Sequence, residues 1–209
     1  LRRQRQMCIR DSLLYDRQRK QYQIARQNVQ IINRKCHELK VQIADLRRLQ
    51  PDEATTQSLD EAEQAARMYD ANAATGNEVL DVVLTEKSLL CEAQRIRLNC
   101  VADGTCLAAI EPGDLYALFS NLLDQAIDAA AQQPNDRRMI DLLVCRRQGF
   151  AVINVIGPAL SGSQSDHGRR HSYELKVARR VVQKYSGTMA TEPRGELFAV
   201  KIVMPLTRG

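Results

Sequence analysis

From Tyr22 to Leu46, the apolar residues Tyr22, Ala25, Val29, Ile32, Cys36, Leu39, Ile43 and Leu46 follow one another at alternating steps of three and four. A 3-4 repeat of this kind draws a single stripe down one side of a helix and demands that another helix cover it. The pattern stops at Gln50-Pro51-Asp52, a turn signal, and a shorter helix follows with Leu59, Ala62, Ala66 and Tyr69 at the same spacing. Helix, turn and helix predict an antiparallel hairpin over residues 1–72. Two helices alone bury little, so pairing of two hairpins in a homodimer is the economical solution. Upstream of Tyr22 the register fails, and Met7–Ser12 reads unlike its surroundings; no function is placed there.

Charge is concentrated in the same region. The first 50 residues hold 13 Lys and Arg against 4 Asp and Glu, although the whole chain carries only +5. Such a helix suits a solvated coiled coil, an anionic membrane surface or nucleic acid. Nucleic acid is the weakest of these, because no aromatic residues interleave the charges and no groove-reading motif accompanies them. No apolar run approaches the roughly 20 residues that span a bilayer, and no signal peptide opens the sequence. The six cysteines form neither a CxxC pair nor a zinc-ligand spacing, and read as thiols of a reducing compartment.

After Ala74-Thr75-Gly76-Asn77 the pattern changes to a second unit, residues 77–209. A helix is predicted over 78–93, a strand over 96–101 and a helix after Pro112-Gly113 with Asp114 as its N-cap. Strands are predicted over 139–145 and 150–156, with a hairpin turn between them. A polar break covers 161–170, a helix covers 173–185, and a final hairpin turns at Pro193-Arg194-Gly195. The order α-β-α-β-β-loop-α-β-β predicts a two-layer α/β sandwich, and with the hairpin an α+β chain.

The helix beginning at Asp114 is the most informative piece of this unit. Leu115, Leu118, Phe119, Leu122, Leu123, Ala126, Ile127 and Ala130 form a core stripe, while Asn121, Gln125 and Asp128 share another face at i, i+4, i+7. Amide and carboxylate oxygens on one face suit a hard cation and the phosphates it accompanies. Ser120-Asn121-Leu122-Leu123-Asp124-Gln125-Ala126-Ile127-Asp128-Ala129 resembles the N-box helix of GHKL ATPases. The resemblance is closest to sensor histidine kinases of the peptide-quorum-sensing type, and it covers roughly residues 20–209.

That resemblance implies an ATP-binding domain of GHKL type. Asn121, Gln125, Asp128 and His171 would hold the nucleotide, and Gln125 would stand where the family places its magnesium ligand. It also implies a phosphoacceptor box in Lys35-Cys36-His37-Glu38-Leu39-Lys40, with His37 as nucleophile and Glu38 as acceptor of its proton. The implied activity is that of the cytoplasmic portion of a bacterial two-component sensor kinase. ATP phosphorylates His37, and a response regulator receives the phosphoryl group. A membrane sensor region would lie upstream, outside this chain, and tether it to the inner face of the membrane.

Three positions depart from the family pattern. Gln125 replaces the metal-binding Asn and extends it by one methylene, where magnesium asks for oxygens at about 2.0–2.1 Å in octahedral order. Ile156-Gly157-Pro158 stands where relatives read Glu-Asn-Pro. His171-Ser172-Tyr173-Glu174-Leu175 stands where relatives read His-Gly-x-Gly-Leu. Ser172 removes a backbone freedom that glycine supplies, and Glu174 sets a carboxylate where triphosphate charge is expected. A like-charge pair at roughly 5 Å costs about 3 kcal/mol at an effective dielectric near 20. The alternative reading is therefore a pseudokinase, a dimeric interaction and phosphotransfer module without ATP binding.

Overall fold

The computed structural model describes residues 2–48, 56–60, 74–159 and 166–206. A single helix, α1 (Arg2–Arg47), forms the N-terminal region. Its backbone is helical through Met7–Ser12, while the side chains of residues 1–15 lie outside the described set. Residues 56–60 are again helical, Leu59 is buried, and Arg47 pairs with Asp60. That ion pair sets residue 60 beside the end of α1, the chain reversal expected of a hairpin. Ala62, Ala66 and Tyr69 of the predicted second helix lie outside the described residues.

The second unit contains α2 (Glu78–Ala93), β1 (Arg97–Ala102), α3 (Pro112–Ala131), β2 (Met139–Arg147), β3 (Phe150–Pro158), α4 (Asp166–Lys184), β4 (Thr188–Arg194) and β5 (Leu197–Pro205). The five strands form one mixed sheet in the order β1-β2-β3-β5-β4. β1 pairs parallel with β2, and the other pairings are antiparallel. The three helices cover one face, so the chain is α+β, with a two-layer sandwich following a long helix.

Local chemistry fixes the boundaries. Asn77 caps α2 by accepting from the Val79 and Leu80 amides at 3.1 and 3.2 Å. Between β2 and β3, Gln148 (φ 47°) and Gly149 (φ 85°) both take positive φ, the conformation of a two-residue hairpin turn matched to strand twist. Asp114 is not the N-cap of α3 as predicted. Pro112 occupies the first turn, where its missing N–H costs nothing, and Glu111 precedes it as the cap residue. The Asp114 carboxylate instead accepts from Lys184 at 2.6 Å and from the Tyr185 hydroxyl at 2.8 Å. These bonds tie the start of α3 to the end of α4.

α4 also begins earlier than the sequence suggests. The polar composition of 161–170 reads as a break, yet the helix runs from Asp166. Asp166 favours a helix N-terminus, and the helix continues through Gly168 and Ser172 despite their weak propensities.

Alternation along the strands places the core. Ile140, Leu142 and Val144 of β2, Ala151, Ile153 and Val155 of β3, and Val200, Ile202 and Met204 of β5 are buried beneath the helices. Phe119, Leu115, Leu118, Leu122, Leu123 and Ile127 of α3 fill the layer above them, each at most 1% exposed. Phe119→Ala removes the largest of these side chains. It is expected to lower unfolding free energy by about 3–5 kcal/mol, measured by urea denaturation, with secondary structure retained below the transition.

Candidate functional site

The seam of α1 is divided between two neighbours. Tyr22, Ala25 and Val29 are buried and join the core of the α/β unit, whereas Cys36 and Ile43 are buried farther along the helix. Leu39 and Leu46, members of the same predicted seam, are each 49% exposed. The Tyr22 ring lies 5.7 Å from that of Tyr116 on α3 at an interplanar angle of 51°, an inclined aromatic pair. Arg26 pairs with Glu78 at the start of α2, 2.6 Å away. α1 therefore runs across the surface formed by α2 and α3.

Between them lies a cleft of about 650 Å³. Gln18, Gln21, Asn28 and Ile32 contribute the α1 wall, Lys87 the α2 wall, and Tyr116, Asn121 and Asp124 the α3 wall, with Val177 of α4 at one side. The volume is within the range of small-molecule sites, and the mixture of amides and charges on its walls is suited to a polar ligand.

Asn121 stands on this cleft, half-buried. Its side-chain Nδ2 donates to the Ala117 carbonyl one turn back at 2.6 Å. That bond fixes the amide plane and leaves Oδ1 as the outward acceptor, the oxygen a hard cation or a ligand donor would use. Gln125, one turn on, is only 4% exposed and does not line the cleft. Asp128 is half-buried another turn along, and its backbone carbonyl accepts from Gln132 Nε2 at 3.2 Å. Gly157 ends β3 close beneath α3, where an added Cβ would sit 3.7 Å from the Ala126 Cβ. Gly157 is thus a packing contact between sheet and helix. His171 lies on the α4 backbone; its side chain and that of Glu174 lie outside the described residues.

His37 and Glu38 are exposed on α1 beyond the cleft. Ile32 is the last α1 residue on the cleft wall, five positions before His37, so the imidazole is displaced by about 8 Å along the helix axis. Glu38 accepts from Lys35 at 2.6 Å, with Arg34 at 4.0 Å. The hydrogen bond and the positive charge of Lys35 lower its pKa, and so weaken it as a proton acceptor. The structure brings Asn121 into a cleft with α1, but it does not bring His37 to that cleft.

One group on the cleft wall escaped the sequence reading. Lys87 has a side chain only 6% exposed, and its Nζ lies 2.8 Å from Asp124 Oδ1 and 3.1 Å from Glu86 Oε1. Burial pulls the ammonium pKa down, but attraction to Asp124 and Glu86 outweighs it and holds the pKa above the ordinary lysine value. Tyr116 donates its hydroxyl to Glu86 Oε2 at 3.1 Å, and Ser120 donates to Asp124 Oδ2 at 3.3 Å. The available signal was a polar pair, Glu86-Lys87, inside the otherwise apolar run of α2.

The described residues contain no group of three or more His, Cys, Asp or Glu poised to hold a metal ion. No described helix is long and apolar enough to cross a membrane.

Residues 110–205, which include α3 and its amide-bearing face, match the family described as the GHKL domain. No curated protein matches. Among solved structures, the catalytic domain of histidine kinase ThkA is 16% identical, with 63% of this chain and 93% of that chain covered and a TM-score of 0.49. The Acinetobacter baumannii histidine kinase AdeS is 15% identical, with 82% of this chain and 98% of that chain covered and a TM-score of 0.45. The histidine kinase domain of the Erythrobacter litoralis EL346 blue-light activated kinase is 15% identical, with coverages of 86% and 94% and a TM-score of 0.41.

The described cysteines Cys36, Cys91, Cys100, Cys106 and Cys145 are thiols. Burial pushes the Cys91 thiol up to about 11, with nearby Lys87 opposing the shift. Only the thiolate alkylates at an appreciable rate. Burial raises the Cys100 thiol as well, but the residue is exposed; in iodoacetamide labelling of the native protein at pH 8, Cys91 is expected to stay unmodified while Cys100 reacts slowly, as read by peptide mass spectrometry.

Proposed function

We propose that this chain is the ATP-binding and phosphoacceptor portion of a bacterial sensor histidine kinase. It would bind ATP with magnesium, become phosphorylated at His37 and pass the phosphoryl group to a response regulator. The observation that carries the reading is the position of Asn121. The first amide of a GHKL-family helix projects into a cleft whose opposite wall is the helix that bears His37.

Asn121 would receive the nucleotide's cation or phosphate end through Oδ1, because Nδ2 is committed to Ala117. Asp128 lies on the same helical face, one and two turns from Gln125 and Asn121. Bound ATP supplies the phosphoryl group. His37 is exposed on a helix, so a ring nitrogen can act as acceptor without desolvation. Glu38, held by Lys35, serves better to orient charge around that imidazole than to remove its proton.

The displacement of His37 from the cleft sets a geometric requirement. Either the GHKL domain moves along α1, or it serves His37 of a second copy in a homodimer. Ile24, Ile31, Leu39, Val41 and Leu46 are large apolar side chains on α1 that are 49–57% exposed, a surface that a second copy would cover in a homodimer.

A second reading, the pseudokinase, is favoured by Gln125, which is longer than the family's Asn and sits 4% exposed, away from the cleft. Titration calorimetry with a non-hydrolysable ATP analogue in excess magnesium separates the two. Micromolar binding, followed by acid-labile labelling from ATP that His37→Gln abolishes, is the expected result. Absence of heat from the native chain, with binding restored in Gln125→Asn/Glu174→Gly, would establish the pseudokinase instead.

A further inference from the structure

Lysine is almost never buried unless it is paired, and Lys87 is buried on the wall of the cleft that Asn121 enters. Its partner Asp124 is three residues from Asn121, on the adjoining part of the same helix face, with a third of its side chain exposed. Left alone, that carboxylate would set a negative charge beside the face on which a polyphosphate must settle. Ser120 donates a hydrogen bond to it but cannot cancel its charge. Lys87 offsets it, from 2.8 Å, while also meeting Glu86 at 3.1 Å. Glu86, the lysine's other partner, is held in turn by the Tyr116 hydroxyl.

We propose that Lys87 determines the charge specificity of this site. By neutralising Asp124 it lets the Asn121 face accept the anionic end of a nucleotide, without itself needing to touch the ligand. Lys87 is therefore a positioning residue. The inference rests on the nucleotide-binding reading given above and deepens it, since that reading assigns nothing to α2.

The chemistry predicts an effect that depends on ligand charge. In Lys87→Met, Asp124 keeps its charge and loses its counterion, so an anionic ligand is penalised and an uncharged one is spared. At separations of several ångströms in a partly wetted cleft, the penalty is on the order of tenfold in affinity. Removing the carboxylate as well, in Lys87→Met/Asp124→Asn, returns the Glu86–Lys87–Asp124 cluster to its native net charge, with Glu86 as its one remaining carboxylate.

The test is calorimetric titration of the intact chain with two probes, the magnesium complex of a non-hydrolysable ATP analogue and uncharged adenosine. Lys87→Met is expected to weaken the analogue by about tenfold while leaving adenosine unchanged, and the double variant is expected to recover the analogue's affinity. Asp124→Asn alone, close in shape to the native residue, is expected to bind the analogue more tightly than the native chain. Equal losses for both probes in Lys87→Met, or no recovery in the double variant, would overturn the inference while leaving nucleotide binding intact. Should Lys87→Met fail to fold, unchanged or weaker analogue binding by Asp124→Asn overturns it. Silence of the native chain toward both probes would overturn the nucleotide reading and this inference with it.

Discussion

The burial of α3 on nearly every side is the constraint around which the rest of the chain is arranged. One of its faces lies on the sheet, α2 and α4 flank it, and α1 crosses above, so that only a narrow strip is left for polar groups. Asp114 shows how strict this is. At 5% exposure its carboxylate needs partners, and it receives both an ammonium from Lys184 and a hydroxyl from Tyr185. Tyr185 in turn accepts from the Glu111 amide at 3.0 Å, which satisfies a backbone donor at the start of the helix. Burial and the helix's polar fittings are therefore one problem.

Lys87 belongs to the same accounting. Placing an ammonium against α3 costs several kcal/mol of lost hydration unless carboxylates meet it. Asp124 from α3 and Glu86 from α2 do so, and Tyr116 and Ser120 complete the remaining bonds. A buried pair of this kind is weak evidence of net stability, since apolar residues of similar volume serve as well or better. Its position on the cleft wall next to Asn121 gives it a reason to be retained that packing alone does not.

Elements with strong periodicity were legible in the sequence. The limits of α2 follow from the Asn77 cap and a regular apolar stripe, and the β2–β3 hairpin from alternation on either side of Gln148-Gly149. The start of α4 was not legible, because Gly168 and Ser172 argue for a loop and Asp166 alone signals a helix start. Asn121 could be placed on the polar face of α3 from its spacing alone, and it stands on the wall of the cleft. The distinction between Asn121 and Gln125 could not, since both share a helical face and only the packing around them shows which one reaches the cleft. Lys87 escaped for the opposite reason. A lone charge in an apolar helix looks like a solvated edge until its partner, 37 residues away on another helix, is seen beside it.

α1 carries the deepest consequence of the fold. Its apolar stripe reads as one continuous seam, yet Tyr22, Ala25 and Val29 are spent on the α/β unit, while Leu39 and Leu46 remain half exposed. A side chain cannot fill the groove of α2 and α3 and a partner helix at the same time. The tie that holds the N-terminal half in place is modest: one inclined ring pair, a few small apolar contacts and the Arg26–Glu78 bridge, an exposed ion pair of the kind that contributes about 0–1 kcal/mol. Aliphatic and aromatic burial of three residues adds a few kcal/mol at most. The hold of α1 on the cleft is therefore of the same size as the free energies by which a ligand or a second helix shifts a two-state equilibrium. Tyr22, Ala25 and Val29 therefore hold in place, by a modest free energy, the helix that forms one wall of the cleft.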